Sequence, residues 1–396
     1  WGASRKLLSD SYHVEMVMVS HDAERPNFSE NTNLSELMFI ARKRLENEPP
    51  GETVYVNLWY NPRTIYEAMA VASRVRECRP ARLDSEEIIS AAGVKGHKFA
   101  EVISLPASQG GCQWIGVQFA QTWTLRAAVQ LEQGQLAVPG QDPVAVPMCR
   151  LGKIGELGPD SRRIHDGFKG SETDWSPFPS FLHHDAKKVL GIRQNPNAHL
   201  MPWAESPRGT DYGKQRLWPR AGRILLIERA RTTTHRVTAI GFEEPVLGTS
   251  WWALKTELSV LQEKTLLLWM NSTASILLLL SRRVSTQGVW MKVKQPAWEN
   301  MPVLDVRSLP DEVITQLAGS YDAICEKELM PLARLDKDPV RAEIDTALSD
   351  ALGLPDMKPL RQLLAREPGL TGKSLPAKAG KTDGSQAISG KNIPQI

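Results

Sequence analysis

The sequence predicts an α/β chain built from more than one body. Three observations carry that expectation. Two short apolar runs, at 12–19 and 34–41, flank a polar loop. A third strand-like run at 52–60, containing VYVNLWY, is followed at once by helical apolar spacing over 63–77. The closing part, 309–329 and 338–366, repeats every three to four residues and reads as helices.

Taken in order, the runs at 12–19 and 34–41 have strand length and a Val, Met, Leu and Ile content that suits a pleated surface. The loop between them is dense in Asn, Asp, Ser and Pro and holds one aromatic, Phe28. Residues 97–119 look strand-like with a turn at Gly110-Gly111, and 121–133 form a short helix. The stretch 134–147 holds three Pro and two Gly and is the best candidate linker. Residues 148–306 read as strands and long loops around a buried helix near 259–281, which Asn271-Ser272-Thr273 would cap or kink. Trp251, Trp252, Trp269 and Trp290 sit beside apolar runs and read as core. Gly353-Leu354-Pro355 punctuates the last helical stretch, and the tail at 371–396, rich in Lys, Gly, Ser, Pro and Gln, is expected to be disordered.

At 396 residues the chain is long enough for two or three cores. Its net charge of +3 is that of the tail alone, where Lys373, Lys378, Lys381 and Lys391 face Asp383. Residues 1–370 therefore sum to zero, and overall basicity argues for no partner. Distribution does: 150–239 carries 11 Arg and 5 Lys against 9 acidic residues, a local +7. Four scattered cysteines without a CxxC pair fit a reducing, cytoplasmic setting and supply no metal spacing. The most apolar run, 265–280, is broken by polar residues and falls short of the ~20 clean apolar residues of a membrane span.

Five motifs then resemble, in family order, the C-terminal portion of gamma-class adenine-specific (N-6) DNA methyltransferases of restriction-modification and phage-defence systems. They are YHVEMVMVSHDAERPNFSENTNLSELMFIARK at 12–43, whose last strand ends on Arg42 and Lys43, GKIGELGPDSRRIHDGF at 152–168, LLLWMNSTASILLLL at 266–280, TQGVWMKVKQPAWENMPVLDV at 286–306, and RAEIDTALSDALGLPDMKPLRQLLAREP at 341–368. The resemblance implies an α/β fold in which the terminal strands of a Rossmann-like methyltransferase sheet precede an α+β target-recognition domain and a helical C-terminus. The implied bodies are 1–78, the end of the methyltransferase domain; 79–147, a connecting region and linker; 148–306, target recognition; 307–370, C-terminal helices; and 371–396, the tail. It also implies double-stranded DNA and other restriction or defence subunits as partners, and no membrane.

Methyl transfer to adenine needs a Gly-rich turn for S-adenosylmethionine and an Asn/Asp-Pro-Pro-aromatic loop, and the chain departs from the family at both. No Gly-x-Gly turn lies in the first hundred residues. Tyr60-Asn61-Pro62-Arg63 lacks the second proline and the aromatic, and reads instead as a strand-to-helix turn. No catalytic or metal-binding residue is therefore assigned, and the cofactor site is expected to lie mostly outside this chain. A non-catalytic DNA-specificity or adaptor module of a defence system stays open as the alternative.

What the resemblance carries onto this sequence is a base-stacking aromatic, Phe28, in a loop where Asn27, Ser29 and Asn31 would line the same pocket. The bland alternative is a loop aromatic folded onto a sheet edge. The second candidate site comes from the residues themselves. In KQRLWPRAGRILLIERARTTTHR at 214–236, Lys214, Arg216, Arg220, Arg223, Arg229, Arg231 and Arg236 face Glu228 alone, with Trp218 among them. Guanidinium forks suit phosphate and guanine. A solvated, ion-paired face is the competing reading. Arg162 and Arg163 are weaker candidates of the same kind.

Overall fold

The computed structural model describes residues 7–8, 10–25, 36–49, 51–82, 93–94, 97–107, 114–182, 186–285 and 289–375. The chain is a mixed α/β protein. Its first sheet has the order β2-β1-β3-β4. The hairpin expected at 12–43 is present: β1 (Tyr12–Ser20) and β2 (Leu37–Lys43) are antiparallel, from Tyr12 opposite Lys43 to Val19 opposite Leu37. β3 (Glu52–Leu58) runs parallel to β1, and β4 (Ala100–Pro106) runs antiparallel to β3.

Period-two alternation divides this sheet's side chains between two layers. On one face Val56, Leu58, Ala100 and Val102 meet Val71 and Val75 of α1 (Ile65–Glu77). Thr64 caps that helix by accepting from the Glu67 N–H, so the stretch 59–64 is indeed a strand-to-helix turn. On the other face Val17, Tyr55, Ile103 and Leu105 pack into the main core with Trp114, Phe119 and α2 (Thr122–Glu132). Gly116 is needed there, because a Cβ would lie 2.4 Å from the Tyr55 ring.

The candidate linker at 134–147 is instead a packed hairpin. Gln135–Leu136 pairs with Val144–Ala145, and Leu136, Ala137 and Val138 are buried. Its glycines supply positive-φ turns at Gly134 and Gly140 rather than slack.

The second sheet takes seven strands: β5 (Gly155–Leu157), β6 (Phe168–Ser171), β7 (Pro179–Phe181), β8 (Ala198–Pro202), β9 (Gly222–Ile227), β11 (Ala239–Gly248) and β12 (Trp251–Thr256). Their order is β5-β12-β9-β11-β7-β8-β6. β9 lies between β12 and β11, and its Ile224, Leu225, Leu226 and Ile227 are all buried, which explains its unbroken apolar run.

The buried helix expected near 259–281 is two helices, α4 (Val260–Met270) and α5 (Thr273–Arg282), bent by 68°. A capping box of Ser259 and Gln262 opens α4. At the bend, the Asn271 side chain donates to Leu267 O and Ala239 O (both 2.9 Å) and accepts from Thr238 N (3.0 Å), while Ser272 caps α5. The polar triplet thus ends one helix, starts the next and ties both to β11. Among the described residues no single helix is long and apolar enough to cross a membrane.

α6 (Asp311–Ile324), α7 (Pro339–Leu352) and α8 (Lys358–Leu364) close the described fold, and Gly353 ends α7 in the left-handed conformation. Asp345 of α7 accepts from Thr273 N (2.9 Å) and the Thr273 hydroxyl (2.6 Å), fastening this layer to α5.

Candidate nucleic-acid interface

A small third sheet gives the arginine-rich region its geometry. It consists of β10 (Arg229–Arg231), β13 (Val284–Ser285) and β14 (Trp290–Lys292), in the order β10-β14-β13. Arg229 pairs with Lys292, Ala230 with Met291 and Arg231 with Trp290. Ala230 and Met291 are buried beneath the sheet. By alternation, Arg229, Arg231, Trp290 and Lys292 share the outer face, with Val284 opposite Lys292 on β13. Trp290 is 50% exposed, so the expectation that it is core does not hold, whereas Trp251, Trp252 and Trp269 are buried as expected.

Arg229 and Arg231 are exposed and make no ion pair among the described residues. Lys292 lies 3.5 Å from Glu228. Unpaired guanidinium groups beside an exposed indole present phosphate-binding donors next to a stacking surface.

A neighbouring helix extends this face. α3 (Ser161–Gly167) begins behind the Asp160 cap, and its Ser161 hydroxyl accepts from Ser250 N (3.2 Å). Ser250 O in turn accepts from Glu228 N (3.0 Å). Ser250 lies in the tight β11–β12 turn at φ +65°, a left-handed conformation that a serine rarely adopts. Two hydrogen bonds through that turn thus join Glu228, which precedes Arg229, to Ser161, which precedes the exposed Arg162 and Arg163. Arg216 is also exposed, on the turn Gly213–Leu217, which meets α3 backbone to backbone: a Cβ on Gly213 would come 2.4 Å from Gly167 O.

The other predicted cations are engaged within the fold. Lys214 pairs with Asp211 at 3.1 Å. Arg220 pairs with Glu156 at 2.8 Å, and Arg223 reaches Glu263 of α4 at 2.7 Å. Arg236 holds Glu328 and Leu329 O, both at 2.6 Å. Trp218 packs edge-on against Phe178. The continuous patch read from 214–236 is therefore split into structural and free arginines. The outward group on the small sheet is Arg229, Arg231, Trp290 and Lys292, and Arg162, Arg163 and Arg216 are exposed on the neighbouring helix and turn. Sequence reasoning missed Trp290 and Lys292, although their i, i+2 spacing in a strand was a visible signal.

Phe28, Asn27, Ser29 and Asn31 lie outside the described residues. The stem leading to them is described, and Asp22 organises it: its carboxylate accepts from Glu24 N (3.0 Å), Arg25 N (3.4 Å) and Asn61 N (3.2 Å). The turn after β3 does not fit S-adenosylmethionine. Trp59 fills it, buried against Ala120 and Leu375, and a Gly-rich turn's open backbone is missing. An open hollow of about 700 Å³, lined by Asp10, Ser11 and residues 43–48, shares no residue with the cationic face.

No protein-family model matches the chain, and no curated protein matches it. Among solved structures it is similar to the type IIG restriction endonuclease BpuSI, at 11% identity and a TM-score of 0.39, over 94% of this chain and 45% of that one. It thus spans under half the length of that enzyme. It is also similar to the HsdS subunit from Thermoanaerobacter tengcongensis (13% identity, TM-score 0.28, 92% of this chain and 95% of that one). A chain from a structure of the type I R-M system aligns at 11% identity and a TM-score of 0.28, covering 91% and 92%.

Proposed function

We propose that this chain is the DNA-recognition part of an adenine-specific DNA methyltransferase of restriction-modification type. The observation that carries the reading is the shared outer face of Arg229, Arg231, Lys292 and Trp290. In this reading the arginines bind duplex phosphates and set the register, while the indole stacks or wedges at the bases. The order of the five sequence motifs supports assigning the chemistry to adenine methylation.

β2 supports a sheet that continues beyond the described strands. Its Leu37, Met38, Phe39 and Ile40 are all exposed, at 37–58%, although they alternate between both faces. Apolar residues on both faces are the pattern of a strand inside a layered α/β sheet, not of a free edge. S-adenosylmethionine and the methyl-transfer loop would then belong to that continuation, with Phe28 reaching toward the extruded base.

A second reading, a non-catalytic specificity or adaptor module, is favoured by one observation: Trp59 occupies the only parallel-strand-to-helix turn among the described residues. Both readings require the same DNA face. Trp290→Ala is expected to weaken binding to a DNA duplex about tenfold, within the ~1–3 kcal/mol that an aromatic contact to a base is worth. Fluorescence anisotropy measures this. Wild-type affinity in the variant would remove Trp290 from the interface and the face from the proposal.

A further inference from the structure

The last described segment, residues 367–375, connects the cationic face to the far end of the first sheet. At its start Glu367 is fully enclosed, and its carboxylate accepts from Ala120 N (2.9 Å), Gln121 N (3.2 Å) and Gln121 Nε2 (3.0 Å) at the beginning of α2. The buried Arg283 guanidinium lies beside this carboxylate and donates to Gly369 O (2.9 Å).

In its middle, Leu370 O accepts from the Thr232 hydroxyl. Gly372 sits against Val289, where a Cβ would come within 2.5 Å of the valine. Thr232 N donates to Val289 O (3.1 Å). Thr232 directly follows Arg231, and Val289 directly precedes Trp290. The segment is thus hydrogen-bonded to one of the residues that adjoin the cationic face and packed against the other.

At its end, Ala23 N donates to the Ser374 hydroxyl (3.0 Å), which donates to Asp22 Oδ1 (3.3 Å). Tyr60 OH donates to Leu375 O, and the Leu375 side chain packs with Trp59 and Ala120. Asp22 is the carboxylate that shapes residues 20–25. Arg25 O completes that stem by accepting from Asn61 Nδ2 (2.7 Å) and the Ser20 hydroxyl (3.3 Å).

A segment that only stabilised the fold would be expected to rely on apolar burial. This one buries Pro368, Leu370 and Leu375 and fixes Glu367 to the start of α2, while its hydrogen bonds to Thr232 and to residues 22–23 lie beside the cationic face and at the stem. We propose that residues 367–375 are a positioning strap that, through Thr232 and Ser374, sets the stem at residues 20–25 against the cationic face, so that DNA seated on Arg229, Arg231 and Trp290 orders the stem. The inference rests on the DNA-binding reading of that face. Coupling of this kind needs both ends to bias one physical element, and the strap is that element.

Hydrogen–deuterium exchange on the full chain, with and without a random-sequence DNA duplex, tests it. In the wild type, saturating duplex is expected to slow amide exchange at residues 23–25 by about fivefold or more, the lower end of usual coupling strengths. Ser374→Ala should lose that slowing while keeping wild-type duplex affinity and salt dependence. Thr232→Val should lose it too, and Thr232→Ser, which keeps the hydroxyl, should restore it. Slowing that persists in Ser374→Ala and Thr232→Val, or that is missing from DNA-bound wild type, overturns the strap. Arg229→Gln with Arg231→Gln separates the two layers: wild-type binding by that variant would mean that the DNA face itself had been misread.

Discussion

The chain is expected to self-associate through β2 at micromolar concentration, and Met38→Lys combined with Ile40→Lys to make it monomeric. Met38 and Ile40 are 48% and 58% exposed on the α1 side of β2, and Leu37 and Phe39 add apolar surface on the other side. The outer edge of β2 pairs with no strand among the described residues. A long apolar edge strand is a template for pairing with another chain, and lysine on the edge opposes that pairing. A side chain of this size gains about 1.5–3 kcal/mol when fully buried, and about half of that remains to be gained by each of these half-covered residues. Sedimentation velocity reads the result. A wild-type chain that remains monomeric throughout would show that β2 does not pair with a second copy.

The second large effect concerns pH. Burial is the main cause that pushes the Glu367 carboxyl up from 4.5 to about 7, against the hydrogen bonds that it accepts at Ala120 and Gln121. Burial, helped by nearby Arg283, pushes His21 down from 6.5 to about 3. For Glu367 the folded state holds a proton that the unfolded chain has already released, so its contribution is full below pH 4.5 and is lost as pH rises to 7. For His21 the contribution is full above pH 6.5 and is lost as pH falls to 3. Between 4.5 and 6.5 the two slopes, each about 1.4 kcal/mol per pH unit, cancel.

Replacing one group exposes the other. The stability of Glu367→Gln relative to wild type should improve by about 3 kcal/mol as pH rises from 4.5 to 7, and that of His21→Gln should improve as pH falls below 6.5. Chemical denaturation across this range measures both. A pH-independent difference for either variant would mean that the group titrates normally in the fold.

Local signals made much of the fold legible. The hairpin at 12–43 joins strands that are neighbours in sequence, and the helix near 63–77 and the helix end at Gly353 depend on residues within a few positions of one another. The free arginines were not legible, because pairing is long-range. Arg223 finds its carboxylate 40 residues away and Arg236 finds one 92 residues away, whereas Arg229 and Arg231 are left over. Trp290 misled for the same reason. Its neighbours Val289, Met291 and Val293 are buried, but pairing with β10 turns the indole outward. The hairpin at 134–147 shows that prolines and glycines mark turns without saying whether the turns pack.

The central claim is that Arg229 and Arg231 grip DNA phosphates. Its most direct test is the salt dependence of duplex binding by wild type and by Arg229→Gln with Arg231→Gln. Each phosphate contact contributes about 0.9 to the slope of log K against log salt, so the variant's slope should be shallower by about 1.8, with weaker binding at low salt. An unchanged slope would contradict the account.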